Sequence, residues 1–99
     1  MAESRAVFEV TAQSFQAEVV ERSRKVPVVL LFWAEQLAPA KEARRLLETL
    51  AGQYQGKFAL ALSDVARDQA LAPHLRVQGL PSIRVVRDGQ LIDQMECPQ

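Results

Sequence analysis

The residues of this sequence best suited to chemistry are few and far apart. Cys97 is the single cysteine and His74 the single histidine among the 99 residues. One thiol cannot close an internal disulfide or supply a cysteine-rich zinc site, and His74 has no second imidazole beside it. We therefore predict no metal ligand, no cofactor, a surface or helix-capping role for His74 and an inert Cys97. A reactive thiol at Cys97 stays the alternative.

The composition is typical of one small globular domain. Twelve Lys and Arg residues balance twelve Asp and Glu, and 48% of the residues are hydrophobic. A net charge of zero gives the protein no overall positive potential that would attract nucleic acid. No stretch is apolar enough for a membrane span or a signal peptide, which predicts a cytoplasmic protein. The scattered arginines predict a solvated face made of Arg67, Arg76, Arg84 and Arg87.

Helical and strand patterns alternate along the chain and predict the elements that position any site. Strands are expected near 6–10, 26–33, 58–63, 82–87 and 90–95, with Asp88-Gly89 as the hairpin turn between the last two. Helices are expected over 11–23 with Thr11 as N-cap, from Pro39 to the glycines at 52 and 56, and over 68–75. The order βαβαβαββ predicts an α/β fold, a three-layer α/β/α sandwich around a mixed central sheet.

Several stretches resemble the thioredoxin family. Leu31-Phe-Trp-Ala-Glu-Gln-Leu-Ala-Pro-Ala-Lys41 is similar to the family's active-site segment, Phe-Trp-Ala-Glu-Trp-Cys-Gly-Pro-Cys-Lys. Gly79-Leu80-Pro81-Ser82 is similar to the family's Gly-Ile-Pro-Thr turn with its cis-proline, and Asp88-Gly89 to its final hairpin. The resemblance covers roughly residues 6 to 97 and implies a thioredoxin-like fold with Pro81 in the cis form.

The same resemblance shows which chemistry is missing. The two cysteines of the family's CxxC fall on Leu37 and Ala40, and its buried Asp and the neighbouring Lys fall on Leu31 and Leu62. Disulfide exchange needs one thiolate to attack and a second thiol to resolve the mixed disulfide, so we predict no catalytic residue. A buried ion pair that is no longer needed for catalysis can be replaced by packed leucines without loss of stability. The leucines at 31 and 62 are therefore consistent with the loss of both cysteines.

Within the family the chain is most similar to chaperedoxins, bacterial proteins in which a degenerate thioredoxin domain precedes a tetratricopeptide-repeat region. The stretches that carry this similarity are Phe32-Trp33-Ala34-Glu35, residues 47–54, and Asp88-Gly89-Gln90 followed by Cys97-Pro98-Gln99. It implies a holdase that binds unfolding clients and passes them to a chaperonin. The cysteine of redox-linked client traps would fall near Val65, which has no thiol, so covalent trapping there is excluded.

The resemblance also implies a peptide groove. Backbone beside the cis-proline pairs with bound peptides in the family, so an apolar protein segment is expected to add there as a strand. The predicted peptide-binding residues flank the degenerate active site and the proline: Trp33, Gln36, Leu37, Ala40, Leu80 and Pro81. Two alternatives stay open. In one, Leu37 and Ala40 only fill the positions of a lost active site with apolar side chains; in the other, Trp33 packs in the core without touching a client.

The resemblance stops at Gln99, where thioredoxins begin a last helix. We therefore expect residues 1–99 to be the N-terminal thioredoxin-like domain of a longer protein. An uncovered sheet face is expected to dimerise or to pack against neighbours. For the groove, the alternative occupant is the chain's own C-terminal repeat region, which would cover Leu37 within the same protein. Two functions follow: a redox-inactive protein-binding domain of chaperone type, or a thioredoxin-type disulfide oxidoreductase by descent, with Cys97 as a monothiol.

Overall fold

The computed structural model of the chain describes residues 7–54, 57–77 and 79–96, and strands and helices alternate there as expected. The elements in chain order are β1 Val7–Glu9, a π-helix Gln16–Glu21, a 3-10 turn Arg22–Arg24, β2 Val28–Trp33, α1 Ala38–Gln53, β3 Ala59–Asp64, α2 Leu71–His74, β4 Ser82–Arg87 and β5 Gln90–Glu96. Within these ranges, no helix has the length and apolar character needed to cross a membrane.

The five strands form one mixed sheet in the order β1-β3-β2-β4-β5. β1, β3 and β2 are parallel, whereas β4 is antiparallel to β2 and β5 is antiparallel to β4. β2 lies at the centre, as its unbroken apolar run predicts for a strand covered on both faces. The predicted α/β fold with a mixed central sheet is confirmed.

Helices pack on both faces of the sheet. On one face, α1 covers a cluster formed by Leu31, Trp33, Leu60, Leu62, Ala40 and Ala51. On the other face, Val19 of the π-helix and Leu71 of α2 pack in a cluster with Leu30 and Phe32. Successive residues of a strand point to opposite faces, which is why neighbours such as Leu30 and Leu31 belong to different clusters. The result is three layers.

The N-terminal helix differs from the continuous helix expected over 11–23. The first part of this stretch is a turn, in which the Ser14 amide donates to Thr11 Oγ1 at 3.3 Å and the Thr11 amide donates to Ser14 Oγ at 3.0 Å. Thr11 therefore does not cap the helix, which begins at Gln16 with Phe15 before it. The stretch continues as a π-helix and ends in a 3-10 turn, where Ser23 Oγ donates to the Val20 carbonyl at 2.7 Å. Such a side-chain bond competes with the main-chain ladder and favours an irregular helix end.

Asp88 and Gly89 form the turn between β4 and β5, as predicted. Their φ angles of 55° and 75° are both left-handed, which a type I′ hairpin turn requires. The turn is tied to the N-terminal helix, because the Gly89 amide donates to Ser23 Oγ at 2.8 Å and the Asp88 amide to the Ser23 carbonyl at 2.8 Å. Ser23 is fully buried, so this contact fixes the hairpin to the body of the fold.

The β5 side of the sheet keeps a large apolar surface in solvent. Met95 lies opposite Ile83 and is 60% exposed, while Leu91 and Ile92 on the same strand are 50% and 58% exposed. β5 is the last strand of the sheet, so its outer edge is open over the part of the chain that the structure describes. The expected dimerisation through an uncovered face stays a prediction.

Candidate functional site

The predicted groove residues come from two neighbouring strand ends. Phe32 in β2 lies opposite Ser82, the first residue of β4. Because the two strands are antiparallel, the residue after Phe32 and the residue before Ser82 lie at the same end of the sheet. These residues are Trp33 and Pro81, and α1 begins shortly afterwards at Ala38. The fold therefore brings the degenerate active-site segment and the proline to one end of the sheet.

Leu37 occupies the position immediately before α1. Its backbone is extended, its amide donates to the Ala34 carbonyl at 3.1 Å, and its carbonyl accepts from the Lys41 amide at 3.1 Å. A leucine has no side-chain acceptor, so it supplies no cap to the first amides of α1. Its side chain is 42% exposed, which leaves an apolar group in solvent at the start of the helix.

Trp33 and Ala40, in contrast, belong to the core. They are 5% and 0% exposed and lie in the cluster under α1. The Arg44 guanidinium is 4.4 Å from the centre of the Trp33 ring, a cation–π contact. Of the two readings of Trp33, burial favours the core residue. Of the predicted groove residues on this segment, Gln36 and Leu37 are the exposed ones.

The proline turn, residues 79–81, is half-buried. The Leu80-Pro81 peptide bond is cis, which confirms the prediction. Ser82 Oγ donates to the Gly79 carbonyl at 2.6 Å and closes the turn at the first residue of β4. Leu80 packs against the cluster that contains Leu71 and Phe32, yet both Leu80 and Pro81 keep part of their surface in solvent.

Hydrocarbon side chains fill the two positions at which the family has its buried acid and base. Leu31 and Leu62 are 0% and 2% exposed and belong to the cluster under α1. Neither side chain can donate or accept a proton. This pair supplies no group that could assist thiol chemistry at Leu37 or Ala40.

The remaining candidate residues give no further site. His74 ends α2 and is exposed, in agreement with a surface role. Over residues 7–54, 57–77 and 79–96, no group of three or more His, Cys, Asp or Glu side chains is placed to hold a metal ion. Val65 is half-buried and its amide donates to the Trp33 carbonyl at 3.0 Å. Cys97 lies outside the described residues, so its reactivity stays a prediction.

The prediction that Arg84 lies on a solvated face is wrong. Its side chain is 1% exposed, and its guanidinium donates to the carbonyls of Ile83, Leu75 and Arg76 at 3.2 to 3.4 Å. The period of two along β4 is the signal that could have found it, since Ser82, Arg84 and Val86 share one face and all are buried. Arg67 and Arg76 are exposed and Arg87 is half-buried.

Comparisons with known proteins agree with this geometry. The thioredoxin family model matches residues 6–99. Thioredoxin 2 of Chlorobaculum tepidum is 35% identical over 89% of this chain and 79% of its own length. Thioredoxin C-2 of Corynebacterium nephridii is 30% identical over 92% of this chain and 82% of its own. Thioredoxin of Pseudomonas aeruginosa is 30% identical over 86% of this chain and 77% of its own. With a family match over most of its length and relatives at this identity, the chain belongs to the thioredoxin family.

Proposed function

We propose that the protein binds exposed apolar segments of other proteins without dithiol chemistry. The observation that carries the proposal is Leu37, which is 42% exposed at the start of α1, at a cysteine position of the family's CxxC motif. A turn with no partner tolerates Ser, Asp or Lys at such a position. An exposed leucine at this end of the sheet, where the proline turn also lies, gives an apolar partner a surface to bury.

The proposed binding surface combines exposed Gln36 and Leu37 with half-buried Leu80 and Pro81. All four side chains are uncharged, which suits the centre of an interface with an apolar segment. An extended segment beside the proline turn gains main-chain hydrogen bonds, and its side chains reach Leu37. Trp33 and Ala40 support this surface from the core.

The partners and the cellular role are part of the same proposal. The occupant is an unfolding protein, which a chaperonin then receives. This is the role of a holdase or co-chaperone in the cytoplasm. The exposed apolar side chains of β5, Leu91, Ile92 and Met95, offer a second place where an unfolding chain can bind.

A second candidate is thioredoxin-type disulfide oxidoreductase activity, and the comparisons favour it over the first. The relatives reported above all have the name thioredoxin, so redox function is the function seen at the level of the family. In this chain Cys97 is the single thiol. Activity would therefore need a Cys97 thiolate to attack the disulfide and an external thiol to resolve the mixed disulfide.

Insulin reduction by dithiothreitol distinguishes the two candidates. The binding proposal expects the same rate with the protein as without it, because an inert Cys97 does not attack the insulin disulfide and leaves dithiothreitol no mixed disulfide to resolve. A rate clearly above the protein-free control, lost in Cys97→Ser, would instead establish the oxidoreductase.

Suppression of aggregation of a heat-unfolding client tests the binding surface. We expect suppression by the native sequence and its loss in Leu37→Lys, which places a charge in the proposed apolar contact. Leu46→Lys is the matched control, because Leu46 is 65% exposed on the same helix but lies further along it. Equal suppression by the native sequence and Leu37→Lys would contradict a binding role for Leu37.

A further inference from the structure

Arg84 is a cation in the interior of the fold. It lies in β4 opposite Leu30 of the central strand, and it is the largest side chain among those fully buried in the described ranges. A buried charge is costly unless hydrogen bonds replace its hydration. The Arg84 guanidinium therefore requires hydrogen-bond acceptors, and backbone carbonyls supply them.

Two of the acceptors lie at the end of α2, and one lies in β4 itself. Arg84 Nη2 donates to the Leu75 carbonyl at 3.3 Å and to the Arg76 carbonyl at 3.4 Å, while Nη1 donates to the Ile83 carbonyl at 3.2 Å. Carbonyls at a helix C-terminus have no partner within the helix, so an external donor satisfies them. Hydrogen bonds from an ionised donor are stronger than neutral ones. One side chain of the sheet thus holds the end of α2.

The same helix end has an unfavourable backbone. Arg76 has a φ of 59°, in the left-handed region that glycine normally occupies after a helix. Two hydrogen bonds close the turn. The Arg76 amide donates to the Pro73 carbonyl at 3.1 Å, and the Val77 amide donates to the Ala72 carbonyl at 3.0 Å. A side chain with a Cβ disfavours this conformation, so the bonds from Arg84 help to keep it.

The proline turn follows this helix end closely in the sequence. Arg84 bonds to the carbonyls of residues 75 and 76, which precede the proline turn, residues 79–81. Ser82, which follows the turn, bonds through its Oγ to the Gly79 carbonyl. The location of Leu80 and Pro81 thus depends on anchors at both sides. One anchor is Ser82 and the other is Arg84.

We infer that Arg84 is a positioning residue that sets the place of the proline turn and thereby the affinity of the proposed groove for an apolar segment. The inference rests on the proposed function. Arg84 does not touch the bound segment. It acts through the Leu75 and Arg76 carbonyls, so its loss should loosen this helix end and the proline turn while the core of the sheet stays folded.

The test replaces Arg84 with Met, which keeps an unbranched stem and removes the donors. Met removes the buried charge but also leaves the Leu75 and Arg76 carbonyls without these donors, so we expect the native fold with a lowered Tm. Amide exchange at Arg76 and Val77 should become at least about tenfold faster, while that of Leu30 and Leu60 in the core stays the same. The amide shifts of Gly79 and Leu80 should move.

The binding measurement uses a labelled ten-residue peptide of alternating Val and Thr with two terminal lysines. We expect Arg84→Met to weaken its Kd about tenfold, because the loop that contacts it is no longer held. Arg87→Met is the matched control, since Arg87 lies on the same strand, is half-buried, and pairs with Asp88 at 3.8 Å. It should leave the Kd and the exchange at Arg76 unchanged.

Other outcomes are decisive as well. Unchanged exchange at Arg76 and Val77, or faster exchange of all core amides together, would show that Arg84 only fills the core. If the native chain does not bind the peptide, the proposed function fails, and the exchange measurement still decides the role of Arg84. If Arg84→Met does not fold, Arg84→Lys keeps the charge but not the paired donors, and the same local acceleration is expected. Local exchange equal to that of the native chain in Arg84→Lys would overturn the inference.

Discussion

Leu31 and Leu62 are direct partners in the register of the parallel strands β2 and β3, and both are buried beneath α1. The two positions that the family resemblance assigns to an acid and a base are therefore neighbours in space, filled by hydrocarbon. Restoring the cysteines alone would not restore the proton transfer that thiol exchange needs.

We predict that Leu37→Cys with Ala40→Cys gives only weak insulin reductase activity. The two thiols supply the nucleophile and the resolving group, but no buried group assists the proton, a loss of about 10²-fold. Adding Leu31→Asp and Leu62→Lys to the same protein should raise the rate. Robust turnover from the double cysteine variant would show that the leucine pair does not limit this chemistry.

Gly89 and Gly52 should respond to alanine in opposite directions. Gly89 has a φ of 75°, so Gly89→Ala is expected to lower the free energy of unfolding by about 1 kcal/mol. The new Cβ would meet Val20 Cγ1 at 3.5 Å, an ordinary contact, so the cost is conformational. Gly52 is in α1 with no atom within 4 Å of a new Cβ, so Gly52→Ala should raise the stability by about 0.5 kcal/mol.

Urea unfolding curves check both glycine predictions. A Gly89→Ala variant as stable as the native chain would mean that the hairpin turn relaxes to another conformation. A destabilised Gly52→Ala would mean that α1 does not continue through residue 52.

Arg44 should matter more for stability than its neighbour Arg45. Arg44 stacks on Trp33 at 4.4 Å and pairs with Glu48 at 3.0 Å, with its side chain 32% exposed. Arg44→Ala is expected to cost about 1–2 kcal/mol and to shift the emission of Trp33, the only tryptophan, to longer wavelength.

Arg45→Ala is the matched control for that measurement. Arg45 pairs with Glu42 at 3.3 Å, but its side chain is 75% exposed, so the loss should stay below about 0.5 kcal/mol. Equal losses at the two positions would show that the stacking on Trp33 adds nothing.

The open edge of the sheet should make the chain self-associate. β5 exposes Leu91, Ile92 and Met95, and an open edge strand with apolar side chains pairs readily with a second copy. Sedimentation should therefore show an average mass that rises with concentration. Met95→Lys should reduce this rise, while Leu46→Lys on α1 should not. A strict monomer at high concentration would contradict the prediction.

Much of the fold follows from local patterns in the sequence. Several features depend on neighbouring residues or on composition: the alternation of strands and helices, the turn at Thr11, the hairpin at Asp88 and Gly89, and the lack of a cysteine pair. Such signals act over one or two turns of chain, so no knowledge of distant contacts is needed to use them.

Burial was decided by the tertiary structure, because it depends on which distant element packs against each face. Leu46 in α1 and Tyr54 at its end are 65% and 51% exposed, since Ala40, Leu47 and Ala51 turn toward the sheet instead. Arg84 is buried because its strand places it beneath the end of α2, whose carbonyls accept its hydrogen bonds. A charged residue in a strand is expected in solvent on average, and only the position of α2 reverses that expectation.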